Sequence, residues 1–146
     1  MNAAYYDANY LFKLQCRERG SIEVRKHAAT VDVLTCAFHG RAEFASAAFR
    51  KVREGAATAL QYQALLAQVH VDASAGHLQW LPLTDAVLDR VESVFATAAA
   101  TTYLRAADAI HLATAVEHGF AEIHSNDKHL LAAAPLFGLR GVNVIS

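Results

Sequence analysis

Cysteine is scarce in this chain: Cys16 and Cys36 are the only two among 146 residues, well separated and in no CxxC pairing. Their spacing excludes a disulfide framework and a cysteine zinc site, and leaves both thiols as packing residues. No run approaches the roughly 20 apolar residues that a membrane-spanning helix needs. The N-terminus also lacks the basic-then-apolar layout of a signal peptide, so a cytoplasmic protein with no membrane partner is expected. Neither a glycine-rich phosphate loop nor a nucleophilic serine or cysteine motif is present.

What is present is apolar mass, with 54% hydrophobic and 18% charged residues. That suits one globular domain over residues 1–146 with a sizeable core. The hydrophobic share is at the upper end for such a domain and suits a chain that also buries a face against a copy of itself or a partner. The net charge of −1 conceals an asymmetry: the segment through Arg53 is +4 and the remainder −5. A basic half is a mild pointer to a polyanionic partner, although solvated helix faces explain it equally well.

Strand-like and helix-like segments alternate along the chain. A short strand at 3–6 runs into Asp7; a helix from Asn9 to about Arg19 follows, stopped by Gly20, and then a helix from Ser21 to about Ala29. VDVLTCAF, residues 31–38, is the continuous β-prone run of a buried parallel strand. The next helix carries Phe44, Ala45, Ala48, Phe49 and Val52 on one stripe. Thr58 can cap a further helix, with Tyr62, Leu65, Leu66 and Val69 spaced for burial. A strand is expected over 77–83, a helix from Thr84 or Asp85, then the Asp108 helix, a strand at 120–124, a helix ended by Pro135 and a last strand over 142–145. This alternation predicts an α/β fold with a mostly parallel sheet covered on both faces, and ligands gather at the carboxyl ends of such strands.

Asp108 lies near the start of Leu104–Gly119, a stretch apolar on almost every side and therefore a buried helix. A carboxylate there needs a cation, hydrogen-bond donors or a metal to offset its lost hydration. Asp7 and Asp127 each follow a short apolar run, and Glu43 follows the second strand, so four acids are expected at one edge of the sheet. Each alone has an ordinary structural role open to it: Asp108 can pair with Arg105 or offset a helix dipole, Glu43 suits a first helical turn, Asp127 a cap and Asp7 a turn. Together they repel one another unless their pKa values rise or cations bind. Oxygen-only ligands select a hard ion, Mg²⁺ or Mn²⁺. Such an ion activates water and stabilises phosphoryl charge, and a pair about 4 Å apart holds both attacking and leaving oxygens.

In this pattern the chain resembles a PIN domain, and within that group the VapC-type ribonuclease toxins of prokaryotic toxin–antitoxin pairs. YYDANYLFKL is similar to the family's opening strand and first acid, GRAEFASAAFRKV to its glutamate helix, LRAADAIHLATA to its third acidic motif and HSNDKHLLAAA to its closing acidic loop. LRAADAIHLATA is the most specific of the four. The resemblance covers essentially the whole chain and implies a three-layer α/β/α fold with the acidic site at the carboxyl ends of the strands. It makes Asp7, Glu43, Asp108 and Asp127 the metal-binding catalytic quartet, with Asn9, Ser125 and Asn126 as polar neighbours. It further implies metal-dependent endonucleolytic cleavage of RNA by a metal-activated water attacking in line, leaving a 5′-phosphate and a 3′-hydroxyl. A homodimer inhibited by a small antitoxin, whose tail enters the acidic groove, is implied as well.

The histidines and the cations offer further candidates. Among the eight histidines, His111 and His118 share a helix and His124 and His129 follow, but no pair has the i, i+4 spacing of a helical zinc site. His111, three residues after Asp108, shares its helix face and is read as a supporting or core residue. Lys13, Arg17, Arg50, Lys51 and Arg53 are candidates for RNA phosphate contacts, and ordinary exposed helix charge explains them as well; Arg105 and Lys128, adjacent to cluster acids, are candidate local ion-pair partners. The rival readings are a non-catalytic PIN-like module that binds RNA or protein, and a metal-dependent nuclease or phosphatase acting on other nucleic acid.

Overall fold

The computed structural model describes all 146 residues. Its strands are β1 (Ala3–Tyr5), β2 (Val33–Ala37), β3 (Leu78–Leu81), β4 (Glu122–His124) and β5 (Arg140–Val142). The helices are α1 (Ala8–Gln15), α2 (Ser21–Ala28), α3 (Gly40–Arg53), α4 (Ala59–Ser74), α5 (Asp85–Thr97), α6 (Ala106–Glu117) and α7 (Lys128–Ala133). β1, β2 and β3 pair in parallel, as do β4 and β5. A parallel bridge from Tyr6 to His124 and the bond from the Asp7 N–H to the His124 carbonyl join the two groups, giving the order β3–β2–β1–β4–β5. Strand order therefore reverses beside β1, and Asp7 leaves β1 at that switch point, where open parallel sheets leave a crevice.

Side chains alternate across this sheet. Tyr5, Ala37 and Leu81 join the core beneath α5, α6 and α7, whereas Ala4, Tyr6, Cys36 and Leu78 join the core beneath α1 to α4. Two cores separated by one parallel sheet make the fold a three-layer α/β/α arrangement. α6 is the helix buried most completely, with Ala109, Leu112, Ala113 and Ala115 sealed from solvent. Thr58 and Gln61 form a reciprocal capping box on α4, and Thr84 caps α5.

Three local expectations are corrected. α1 ends at Gln15 rather than near Arg19, because Cys16 is extended and the next turn folds back, with the Lys13 ammonium bonded to the Glu18 carboxylate and the Arg19 carbonyl. The last strand is Arg140–Val142 rather than 142–145: Gly141 pairs with Ile123 in register, and a Cβ there would lie 3.2 Å from the Leu131 Cα. Beyond it, Asn143 accepts a hydrogen bond from the Tyr10 hydroxyl, and Val144 and Ile145 pack on the core under α1. Finally, Phe44 and Ala48 of the α3 stripe are buried, but Phe49 is 54% exposed.

Candidate active site

β1 delivers Asp7 as the cap of α1. Its Oδ1 accepts from the Tyr10 N–H at 2.9 Å and its Oδ2 from the Ser125 hydroxyl at 2.5 Å. Ser125 Oγ in turn accepts from the Asp127 N–H, so the loop after β4 ties two of the acids together. Asp127 caps α7 through Oδ1, which accepts from the N–H groups of His129 and Leu130. Its Oδ2 faces Arg105, 3.7 Å away. Capping and site geometry thus coexist on opposite oxygens of one carboxylate.

Asp108 rises from the first turn of α6 and Glu43 from the first turn of α3. Asp7, Glu43, Asp108 and Asp127 line one cavity of about 80 Å³, together with Ala8, Asn9, Arg105, His111 and Leu130. Burial dominates the electrostatics. It lifts Asp7 to about 6, against the opposing pull of the Ser125 and Tyr10 hydrogen bonds, and it also raises Asp108 despite the adjacent Arg105. At Glu43 burial acts in the same sense, but the His111 hydrogen bond, with the neighbouring imidazoles and the Arg105 guanidinium, overcomes it and holds the carboxyl low. The cavity thus carries more negative charge than its single cation offsets.

His111 is placed by a chain of hydrogen bonds. The Tyr5 hydroxyl accepts from the Ala37 N–H at 3.0 Å, so its own proton is directed to His111 Nδ1 at 2.6 Å. His111 Nε2 then donates to Glu43 Oε1 at 2.5 Å, and the assignment follows from the donor count. His39, four residues before Glu43, packs on His111 with ring centroids 4.2 Å apart and planes tilted by 45°, and directs Nε2 at the Ala107 carbonyl. Polar atoms of His39, Glu43 and His111 lie within 4.8 Å of one another. His111 thus spends its Nε2 proton on Glu43, whereas His39 spends its own on the Ala107 carbonyl and lies 3.5 Å from Glu43 Oε1. Burial and the neighbouring His111 lower the His39 pKa, consistent with a neutral ring. Sequence reasoning passed over His39; its i, i+4 spacing to Glu43 was the available signal.

The remaining candidates separate. Asn9 is exposed on the cavity rim, while Asn126 is exposed and lies outside the cavity lining. Arg105 forms the local ion pair with Asp108, with Nη2 at 3.3 Å from Oδ2. Arg50 and Arg53 line a groove of about 590 Å³ that shares Asn9, Glu43 and Arg105 with the acidic cavity. Lys13 is buried on Glu18 and Arg19, and Lys51 also pairs with Glu18, at 3.4 Å. Arg17 lines a separate groove against α4.

The family model for the PIN domain matches residues 4–135. The chain belongs to the PIN-domain family. PIN domains are a nuclease fold, usually dependent on divalent metal and acting on nucleic acid. Comparison with curated proteins gives no match. No helix of this PIN domain is long and apolar enough to cross a membrane.

Proposed function

We propose that this PIN domain is a Mg²⁺- or Mn²⁺-dependent endoribonuclease and the toxin of a VapC-type toxin–antitoxin pair, dimeric and inhibited by a small antitoxin. The observation that carries the catalytic reading is the convergence of Asp7, Glu43, Asp108 and Asp127 on one small cavity in which Arg105 is the only cation. Four oxygen donors, crowded and under-neutralised, fit a hard divalent ion; that ion, when bound, supplies activated water and stabilises charge on phosphoryl oxygen. The chain's own residues hold the donors in place: Ser125 and the Tyr10 N–H fix Asp7, His111 fixes Glu43, and the α7 cap fixes Asp127. Arg50 and Arg53 lie where an incoming backbone phosphate would be held without reading its base. Hydrolysis in line then leaves a 5′-phosphate and a 3′-hydroxyl. The toxin assignment rests on the LRAADAIHLATA motif and its flanking acids.

The test is cleavage of single-stranded and structured RNAs by the purified, antitoxin-free chain with Mg²⁺, with Mn²⁺ and with chelator, beside Asp108→Asn. Cutting that needs metal and disappears in the variant is expected. Cutting at the wild-type rate by Asp108→Asn, or in chelator, would remove the quartet from the reaction. Tight RNA binding by a folded, metal-loaded and inert wild type would favour a binding module instead.

A further inference from the structure

The helical stripe that buries Phe44 and Ala48 does not bury Phe49, whose ring lines the wall of the 590 Å³ groove beside the acidic cavity. Along this face α3 presents Glu43, then Ser46, then Phe49 and Arg50, then Arg53. Steps of three and four residues stack these side chains along one side of a helix. The face therefore begins at the acidic cavity and runs, through an aromatic ring, to two guanidinium groups. Neither Arg50 nor Arg53 forms an ion pair within the chain, although Lys51 between them is taken by Glu18.

An exposed aromatic beside two unpaired cations has the composition of a stacking site for single strands, where a base lies on the ring and adjacent phosphates meet the charges. A groove of several hundred Å³ is of ligand size. The sign of its charge selects a polyanion, and its shared wall with the acidic cavity gives the strand a direction. A duplex offers no free base face to Phe49.

We propose that this groove holds a single-stranded polynucleotide segment, with one base stacked on Phe49 and adjacent phosphates on Arg50 and Arg53, and presents a neighbouring phosphodiester to the acidic cavity. The final clause rests on the nuclease reading; the binding site does not. Phe49 is a specificity-determining residue that favours unpaired strands and imposes no hydrogen-bonded base code.

Binding is measured by fluorescence anisotropy on Asp108→Asn protein in chelator, with a short labelled RNA, DNA of the same sequence, and the corresponding duplex. Phe49→Ala is expected to weaken single-strand binding about tenfold, with Phe49→Trp restoring it and duplex binding unchanged. Arg50→Gln and Arg53→Gln are each expected to flatten the dependence of log affinity on log salt by about one phosphate contact. A loss shared by RNA and DNA supports recognition of strand and base; a loss confined to RNA supports it with an added ribose contact. Unchanged affinity in a folded Phe49→Ala protein overturns the proposal. So does a loss that tracks a change in oligomeric mass, which would assign the ring to a contact between copies. Phe49-dependent binding by a wild type that never cleaves would retain the groove and reject the nuclease. Metal-dependent cleavage with wild-type kcat/KM in Phe49→Ala would do the reverse.

Discussion

Arg105 closes on Asp108 through two nitrogens, Nε and Nη2, each 3.3 Å from the same carboxylate oxygen. The guanidinium also reaches Asp127 at 3.7 Å, and the side chain is 60% exposed, so it neutralises the pair from the solvent side. A divalent ion held by these acids would compete with that cation. Arg105→Gln is therefore expected to bind Mn²⁺ about severalfold more tightly by titration calorimetry, because opposite charge within hydrogen-bond range stabilises the ionised carboxylates in the free state. In chelator the same variant is expected to be less stable than wild type. Equal Mn²⁺ affinity would show that Arg105 and metal do not share these oxygens.

Asp7 sets a pH dependence of definite sign. Its carboxyl rises from an ordinary 3.8 to about 6 through burial. The folded state therefore holds the proton more tightly than the unfolded chain, and this contribution to stability is full below about pH 4 and lost as pH rises through about 6. Asp108 is raised too and acts in the same sense; Glu43, held low, acts oppositely and at more acidic pH. Urea midpoints in chelator should thus fall from about pH 4 to 6 relative to Asp7→Asn, which lacks the titrating group. Saturating Mn²⁺ should reverse the trend, since the ion needs ionised acids. A constant wild-type-to-variant difference over that window would show that Asp7 is not buried in a raised-pKa state.

Much of this arrangement was legible in the sequence because it depends on local rules. An all-round apolar helix can only be buried, so α6 and the difficulty posed by Asp108 were visible. Acids that closely follow short β-prone runs fall at strand ends, so the common edge for Asp7, and for Asp127 just after Ser125 and Asn126, was visible too. Phe49 was misplaced because periodicity identifies a stripe and not which edge a neighbouring helix covers. Lys13 reads as a solvated charge until α1 ends early and Glu18 folds back onto it. The displaced β5 depends on Gly141 against Leu131, a contact that no local pattern encodes. His39 acquires meaning only when α6 brings His111 beside it.

Tyr5 and His111 give a stability prediction inside the site. The buried Tyr5 hydroxyl serves both the Ala37 N–H and His111 Nδ1. Tyr5→Phe keeps the ring packed and leaves both groups without a partner, at a cost of about 1–3 kcal/mol in the free energy of unfolding. Cleavage should fall further than the lost stability explains, because His111 no longer holds Glu43 in one orientation. A variant as stable and as active as wild type would show that the hydroxyl supports neither.

Lys13 separates structural charge from charge available to RNA. Its ammonium is bonded at 2.9 Å to both Glu18 and the Arg19 carbonyl, and with it the turn that ends α1 is anchored. Lys13→Met retains the aliphatic stem and leaves those acceptors in a partly buried turn, so a loss of about 1.5–3 kcal/mol is expected in denaturant unfolding. Arg53, exposed and unpaired in the groove, has the opposite profile: Arg53→Gln should leave stability unchanged within about 0.5 kcal/mol while weakening RNA binding. Measured side by side at two salt concentrations, Lys13→Met should keep the wild-type salt dependence and Arg53→Gln should flatten it. If Lys13→Met instead flattened the salt dependence at unchanged stability, Lys13 would have to leave Glu18 for a phosphate when RNA binds, and the basic N-terminal half would act as a broader electrostatic surface than the α3 groove alone.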